Sequence, residues 1–329
     1  MADVAKAAGV SHQTVSRVLN DSPAVRPATK QRVLQAVTEL GYRPNRAART
    51  LVTRSSNTIG VVTFGPELYG PASTLMGVEN AARDAGYYVS LATMRTVDAQ
   101  SVRSAVDHFI AQNVDGLIVV TTSIDGDETF SELSQEIPVV VVGAGRKPGG
   151  KEISVAVDQA QGGRLAVEHL MGLGHEKIVH IAGPEDSYDA RARREGYQEA
   201  MYTGGLQPLP VVVGDWSSER GYEAGRELLT RGSDMPTAVF ASNDPMALGL
   251  VYALDESGVR VPHDVSVVGF DDVPGSAFYL PPLTTVRQNF EEMGRLCIAS
   301  VLAALDGRAQ RFPDPIAPEL VARTSTARR

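Results

Sequence analysis

Short runs that are apolar at nearly every position, separated by stretches long enough for a helix, recur along most of this chain. TIGVVT (58–63), YYVSLAT (87–93), DGLIVV (115–120) and PVVVV (138–142) come first, and KIVHIAG (177–183), PVVVG (210–214), TAVFAS (237–242) and VSVVGF (265–270) follow. A strand without polar alternation has both faces covered, as in a parallel sheet between helix layers. Helical stretches fall between the runs: Pro71–Ala85, Asp98–Gln112 and a short segment near Glu128–Leu133, then Gly162–Leu173, Ala190–Thr203, Ser218–Thr230 and Pro245–Ser257. The order predicts two consecutive doubly wound α/β subdomains, with a cleft where the strands end.

At 329 residues the chain is long enough for two or three domains. With 43% hydrophobic and 21% charged residues it has a globular composition, and no apolar run is long enough for a membrane span. The N-terminal MADVAKAAGV lacks the pattern of a signal peptide, and the one cysteine, Cys297, suits a reducing compartment. A cytoplasmic location without metal or cofactor is the expectation. The net charge of −8 is unevenly spread. Residues 1–56 hold nine Lys/Arg and three acids, net +6, which leaves −14 for the rest. A basic head on an acidic body suggests that the head meets a polyanion, although a solvated charged face has the same composition.

The head reads as three short helices. Asp3–Ala8 is stopped by Gly9, and Ser11 is placed to cap a second helix, Ser11–Leu19. A third, Ala28–Leu40, ends at Gly41 and offers Val33, Leu34, Val37 and Leu40 to a core shared with Val4, Ala5, Ala8, Val10, Val15 and Val18. Two helices across a glycine turn with a third closing the core make a helix-turn-helix. The second helix exposes His12, Gln13 and Arg17, side chains suited to base edges, as Arg pairs with guanine and Gln with adenine. Ser11, Thr14, Ser16 and Asn20 are short polar groups suited to phosphates. The same pattern also fits a three-helix protein-interaction module.

DVAKAAGVSHQTVSRVLN followed by GYRPNRAARTL resembles the DNA-binding head and hinge of the LacI/GalR family of bacterial transcription regulators. The resemblance implies base reading by His12, Gln13 and Arg17. It also implies that Pro44–Leu51, too short to hold as a helix alone, folds on the operator beside its copy in a second subunit. Leu51, with Ala48, then enters the minor groove as an apolar wedge that kinks the duplex. RSSNT (54–58) resembles a flexible linker. Family members usually have several residues, including a capping Thr, before the residue matching Asp3, where only Met1 and Ala2 stand here; either translation starts upstream of Met1 or the first helix lacks its cap, at a cost of about 1 kcal/mol.

GHEKIVHIAGP, GDWS, ASNDPMALG, GVRVPHDVSVVGFDD and PPLTTVRQNFEEMG resemble the family's type I periplasmic-binding-protein-like body of two doubly wound subdomains. The implied division is a head at 1–44, a hinge helix and linker at 45–57, and an effector-binding and dimerisation body at 58–329. With crossings near 157, 287 and 316, the subdomains are about 58–157 with 287–316, and 158–286 with 317–329. The end at Arg329, without a leucine-heptad helix, suggests a homodimer rather than a tetramer.

Catalytic patterns are weak. His175-Glu176 with His180 is spaced H-E-x-x-x-H at a helix-to-strand turn, not H-E-x-x-H on a helix. GAGRKPGG (143–150) lacks the G-x-G-x-x-G order, and Asp271-Asp272 reads as one ligand contact beside one structural acid. No nucleophile–base pair stands out, so a binding protein is expected rather than an enzyme. A sugar site combines an aromatic platform with charged and amide groups that bond hydroxyls. The resemblance assigns those parts to Arg193, Trp216, Asn243, Asp271 and Gln288, with Phe290 nearby and Leu68, Gly70 and Pro71 as an apolar lip. Trp216, the sole tryptophan, falls in an exposed loop position after a strand. Where a galactoside-binding member has polar residues, this chain has Phe64, Val120 and Gly143, so the sugar's identity stays open. The expected function is a repressor that binds a pseudo-palindromic operator and is released by a sugar or glycoside. The alternatives are a corepressor such as a purine, a protein partner, or a sugar-transport protein with the same body.

Overall fold

In a computed structural model, residues 1–19, 22–42, 55–65, 67–94, 99–121, 134, 136–143, 151–308 and 313–329 are described. The chain divides into two compact units, Met1–Ser56 and Asn57–Arg329.

The first unit contains α1 (Ala2–Ala8), α2 (His12–Leu19) and α3 (Pro27–Glu39). α1 has no side-chain N-cap and ends at Gly9, whose φ of 62° lets its N–H and that of Val10 return to the carbonyls of Lys6 and Ala5. Ser11 caps α2, its Oγ accepting from Thr14 N at 3.3 Å. The core is Val4, Ala5, Ala8, Val15, Val18, Val33 and Ala36, with Val10 and Val37 packed at its edge. Leu34 and Leu40, expected inside, are 44% and 50% exposed. α3 meets its neighbours along one narrow stripe, Val33–Ala36–Val37, and Leu34 is turned about 100° from Val33.

The second unit is built on two sheets. The first, in the order β2-β1-β3-β4-β5, is parallel and consists of β1 (Thr58–Phe64), β2 (Tyr88–Met94), β3 (Gly116–Val120), β4 (Val139–Val142) and β5 (Ile153–Val155). α4 (Tyr69–Asp84) and α5 (Ala99–Ala111) connect its early strands. The second, in the order β11-β10-β9-β8-β6-β7, holds β6 (Ile178–Ala182), β7 (Val212–Val213), β8 (Ala238–Ala241), β9 (Ser266–Asp271), β10 (Thr284–Arg287) and β11 (Glu319–Val321). Its helices are α6 (Gln159–Gly172), α7 (Tyr188–Thr203), α8 (Ser218–Leu229) and α9 (Asp244–Glu256).

Three features differ from the sequence expectation. β2 is not covered on both faces: Tyr88 and Leu91 are 52% and 47% exposed, because β2 is an edge strand. β11 runs antiparallel to β10, so the second sheet is mixed. The run PVVVG contributes only the two-residue β7. The segment near Glu128–Leu133 lies outside the described residues.

A last helix, α10 (Phe290–Leu305), packs on the first sheet although it follows a strand of the second. It crosses α4 so closely that a Cβ on Gly77 would lie 2.3 Å from Phe290 O. The chain therefore passes between the sheets at Ala156–Asp158, at Gln288–Asn289 and near Ile316. The first and third crossings are paired: Asp158 N donates to Ile316 O, and Ile316 N donates to Ala156 O, both at 2.9 Å.

Candidate functional site

Between the two sheets opens a cleft of about 490 Å³. One wall is Glu67–Ala72, the turn after β1 and the start of α4, and it carries Leu68, Gly70 and Pro71. The opposite wall gathers the C-terminal ends of second-sheet strands and the helices after them: Asp189, Arg193, Trp216, Asn243 and Asp271. In a doubly wound sheet this is where ligands bind, because strand ends and helix N-termini converge there without sealing the sheet edge.

Arg193 sits on α7 and is 4% exposed. Its guanidinium lies 3.8 Å from the centre of the Phe270 ring and 5.4 Å from that of Trp216. Nε donates to Gln159 Oε1 at 2.8 Å, and Nη1 donates to the carbonyl of Ser242. Nη2 faces Asp271 Oδ1 at 3.7 Å. The rigid fork is thus held by Gln159, Ser242 and the two aromatic rings, with one edge toward the carboxylate that shares the cleft.

Asp271 closes β9 with φ 103°, and Asp272 follows with φ 54°. This left-handed pair turns the two carboxylates apart. Burial pushes Asp271 up to about 6, against the pull of Arg193 and the Gln288 hydrogen bond. Asp272 instead accepts from Arg287 Nε and Arg323 Nη2, each at 2.7 Å, and from Ser276 Oγ at 3.0 Å; these bonds hold it below the usual carboxylate range against the opposing effect of burial. One acid faces the cleft and the other pins the C-terminal segment.

Trp216 is half-buried rather than loosely exposed, because its ring lies against Gly183 and its flank against the core under α8 and α9. Asn243 caps α9 by accepting from Met246 N and donates Nδ2 to the Trp216 carbonyl, each at 2.9 Å. It therefore fixes the indole's backbone as well as lining the cleft. Gln288 and Phe290 do not line this wide space; they line a chamber of about 40 Å³ behind it, with Val120, Gly143, Gln159 and Met293. Phe290 meets Tyr69 edge-on at 5.7 Å.

Sequence reasoning missed Gln159 and Asp189. Asp189 precedes Arg193 by one helical turn on α7, a spacing that places both on one face and was legible. Gln159 carried no local signal, since its partners are 34 and 129 residues away.

His180 is buried in β6, stacked on Tyr197 and Phe240 and bonded to the Phe240 carbonyl; burial pushes it down to about 3. His175 holds Thr237 Oγ1 and the Ala327 carbonyl. Both belong to the packing of the second sheet and its C-terminal strap.

In the first unit, Ser11, His12, Gln13 and Arg17 are exposed on one side of α2, and Thr14 and Ser16 are half-buried. Asn20, Ala48 and Leu51 lie outside the described residues.

Bacterial regulatory proteins of the lacI family match residues 1–45, and a periplasmic binding protein-like domain matches residues 167–326. The chain is 36% identical over 325 residues to the lactose operon repressor of Escherichia coli (strain K12), covering 98% of this chain and 89% of that protein. The crystal structure of the lac repressor dimer bound to operator and the anti-inducer ONPF matches with a TM-score of 0.89 at 35% identity, over 99% of this chain and 98% of that one. The PurR repressor of Haemophilus influenzae (strain PittEE) is 37% identical over 98% of this chain and 97% of its own length. The complex of the transcriptional regulator CelR with cellobiose matches with a TM-score of 0.73 at 33% identity, over 98% of each chain.

Proposed function

The chain belongs to the lacI family of bacterial regulatory proteins, and on that premise we propose that it is a homodimeric, operator-binding repressor released by a neutral sugar or glycoside. The observation that carries the effector reading is the grouping of Arg193, Asp271 and Trp216 on one cleft wall. A donor and an acceptor 3.7 Å apart suit hydroxyls on neighbouring carbons, and the indole suits the C–H face of a pyranose. Such a protein acts by binding rather than by catalysis.

In the head, His12, Gln13 and Arg17 read base edges while Ser11, Thr14, Ser16 and Asn20 contact phosphates. Leu51 and Ala48 supply the minor-groove contacts of the hinge. Two heads related by a dyad read a pseudo-palindrome. Phe278 and Leu280, 84% and 89% exposed, are apolar surface of the kind a second copy covers.

The similarity to PurR favours a second reading, a purine that strengthens operator binding. One experiment separates the two: thermal shift of the full chain with galactose, glucose, lactose, cellobiose, guanine and hypoxanthine, followed by operator binding with each ligand that stabilises. A ligand at 100 times its dissociation constant adds about 2.7 kcal/mol, enough to move the melting point visibly. Sugar stabilisation with weakened DNA binding supports release; purine stabilisation with tightened binding replaces it.

A further inference from the structure

Behind the cleft, four buried side chains close a ring. Arg193 Nε donates to Gln159 Oε1 at 2.8 Å, and Gln159 Nε2 donates to Gln288 Oε1 at 2.7 Å. Gln288 Nε2 donates to Asp271 Oδ1 at 2.7 Å, and Asp271 Oδ1 returns to Arg193 Nη2 at 3.7 Å. None of the four is more than 7% exposed. The direction of the chain is dictated by its ends. A guanidinium only donates and a carboxylate only accepts, so each amide between them has a single workable orientation.

The two amides also stand at the crossings between the sheets. Gln159 directly follows the crossing at Ala156–Asp158, and Gln288 is the first residue after β10, where the chain leaves for α10. Their bond ties the first crossing to the second, as the backbone bonds at Ile316 tie the first to the third.

We propose that Gln159 is a positioning residue that transmits occupancy of Arg193 and Asp271 to the inter-sheet crossings without contacting the effector. The proposal rests on the sugar reading of the cleft. A ligand hydroxyl that donates to Asp271 Oδ1 competes with Gln288 Nε2, and one that accepts from Nη2 draws the Arg193 fork. Neither disturbance is absorbed by an amide flip, because a flip sets like groups against each other at the next bond. The disturbance therefore reaches the Gln159–Gln288 bond and, through it, the relative position of two crossings that must shear if the subdomains reorient.

The test uses the full chain, a duplex selected by the wild-type protein from a randomised pool, and whichever of galactose, glucose, lactose and cellobiose most changes the emission of Trp216, the only tryptophan. Sugar affinity is read from that emission, and operator affinity is measured with and without saturating sugar. Sugar should weaken wild-type operator binding by about 5- to 150-fold, the usual range of coupling between sites. Gln159→Met, similar in length but unable to bond, also takes the acceptor from Arg193 Nε, so its sugar affinity should fall; at saturating sugar it should still lose most of that weakening. Gln159→Glu retains the acceptor for Arg193 and loses the donor to Gln288, so it too should be uncoupled. Full coupling in Gln159→Glu would show that Gln159 merely steadies Arg193, and full coupling in Gln159→Met would remove any role; either overturns the inference while leaving the sugar reading intact. If none of the four sugars binds the wild type, the sugar reading fails and this inference with it.

Discussion

Gly183 packs against the six-membered ring of Trp216: a Cβ at Gly183 would come within 2.2 Å of indole Cη2 and 2.3 Å of Cζ2. Trp216 itself holds φ 76°, and its carbonyl is gripped by Asn243. A side chain at position 183 would thus have to displace the indole from a loop whose backbone is held. Gly183→Ala should therefore tilt the platform and weaken sugar binding by about tenfold or more, near 1.4 kcal/mol, with operator affinity unchanged. Titration by calorimetry alongside a DNA-binding assay checks both halves.

Arg193→Ala and Asp271→Ala should each leave operator affinity within a few-fold of wild type while abolishing release by sugar. A ligand shifts an equilibrium only through its preference for one state, and these two groups are the proposed grip on the ligand. Normal release in either variant would show that the effector site lies elsewhere. Loss of DNA binding would show the residue to be structural.

Asp272→Ala should behave differently from its neighbour. It strips the carboxylate from Arg323, whose side chain is 17% exposed, and from Arg287. It also leaves alanine at φ 54°, a region that aspartate tolerates better. The expected loss is about 2–3 kcal/mol of stability, somewhat below that for a fully buried pair. Sugar affinity at a temperature well below the melting point should be retained. Chemical denaturation and a sugar titration distinguish this outcome from that of Asp271→Ala.

Asp244 is fully buried at the start of α9, accepting from Thr285 Oγ1 at 2.5 Å and Val273 N at 2.8 Å. Burial, reinforced by the charge of Asp271, pushes its carboxyl up to about 8. The folded protein then keeps a proton that the unfolded chain releases near pH 4. Stability from this group is therefore present at low pH and lost as pH rises from about 4 to 8, by at most about 1.4 kcal/mol per unit. Asp244→Asn can accept from Val273 N and donate to Thr285, so its stability should be flatter over that window. Melting curves of both proteins at pH 5 and pH 8 should show the wild type losing ground to the variant at the higher pH.

Arg17→Ala should cost about 1–3 kcal/mol in operator binding and relax one base position in each half-site. Selection from a randomised duplex shows whether the preference at one position disappears. Uniform weakening across sequences would make Arg17 a phosphate contact.

The sequence by itself determined whatever depends on neighbours in the chain. Apolar runs announced the strands, Gly9 and Ser11 bounded the helices of the head, and the charge of residues 1–56 set that head apart, because periodicity, capping and composition are local properties. The cleft wall of Arg193, Trp216, Asn243 and Asp271 was legible through family likeness, and its location through the rule that ligands bind at strand ends. Only the tertiary structure decided which apolar residues find a partner, leaving Leu34 outside and β2 at an edge. It alone turned Asp271 into the cleft and Asp272 away, and it set Trp216 on Gly183. The bond between Gln159 and Gln288 spans 129 residues and exists because two crossings lie side by side, a relation set by the packing of whole sheets and absent from any stretch of sequence.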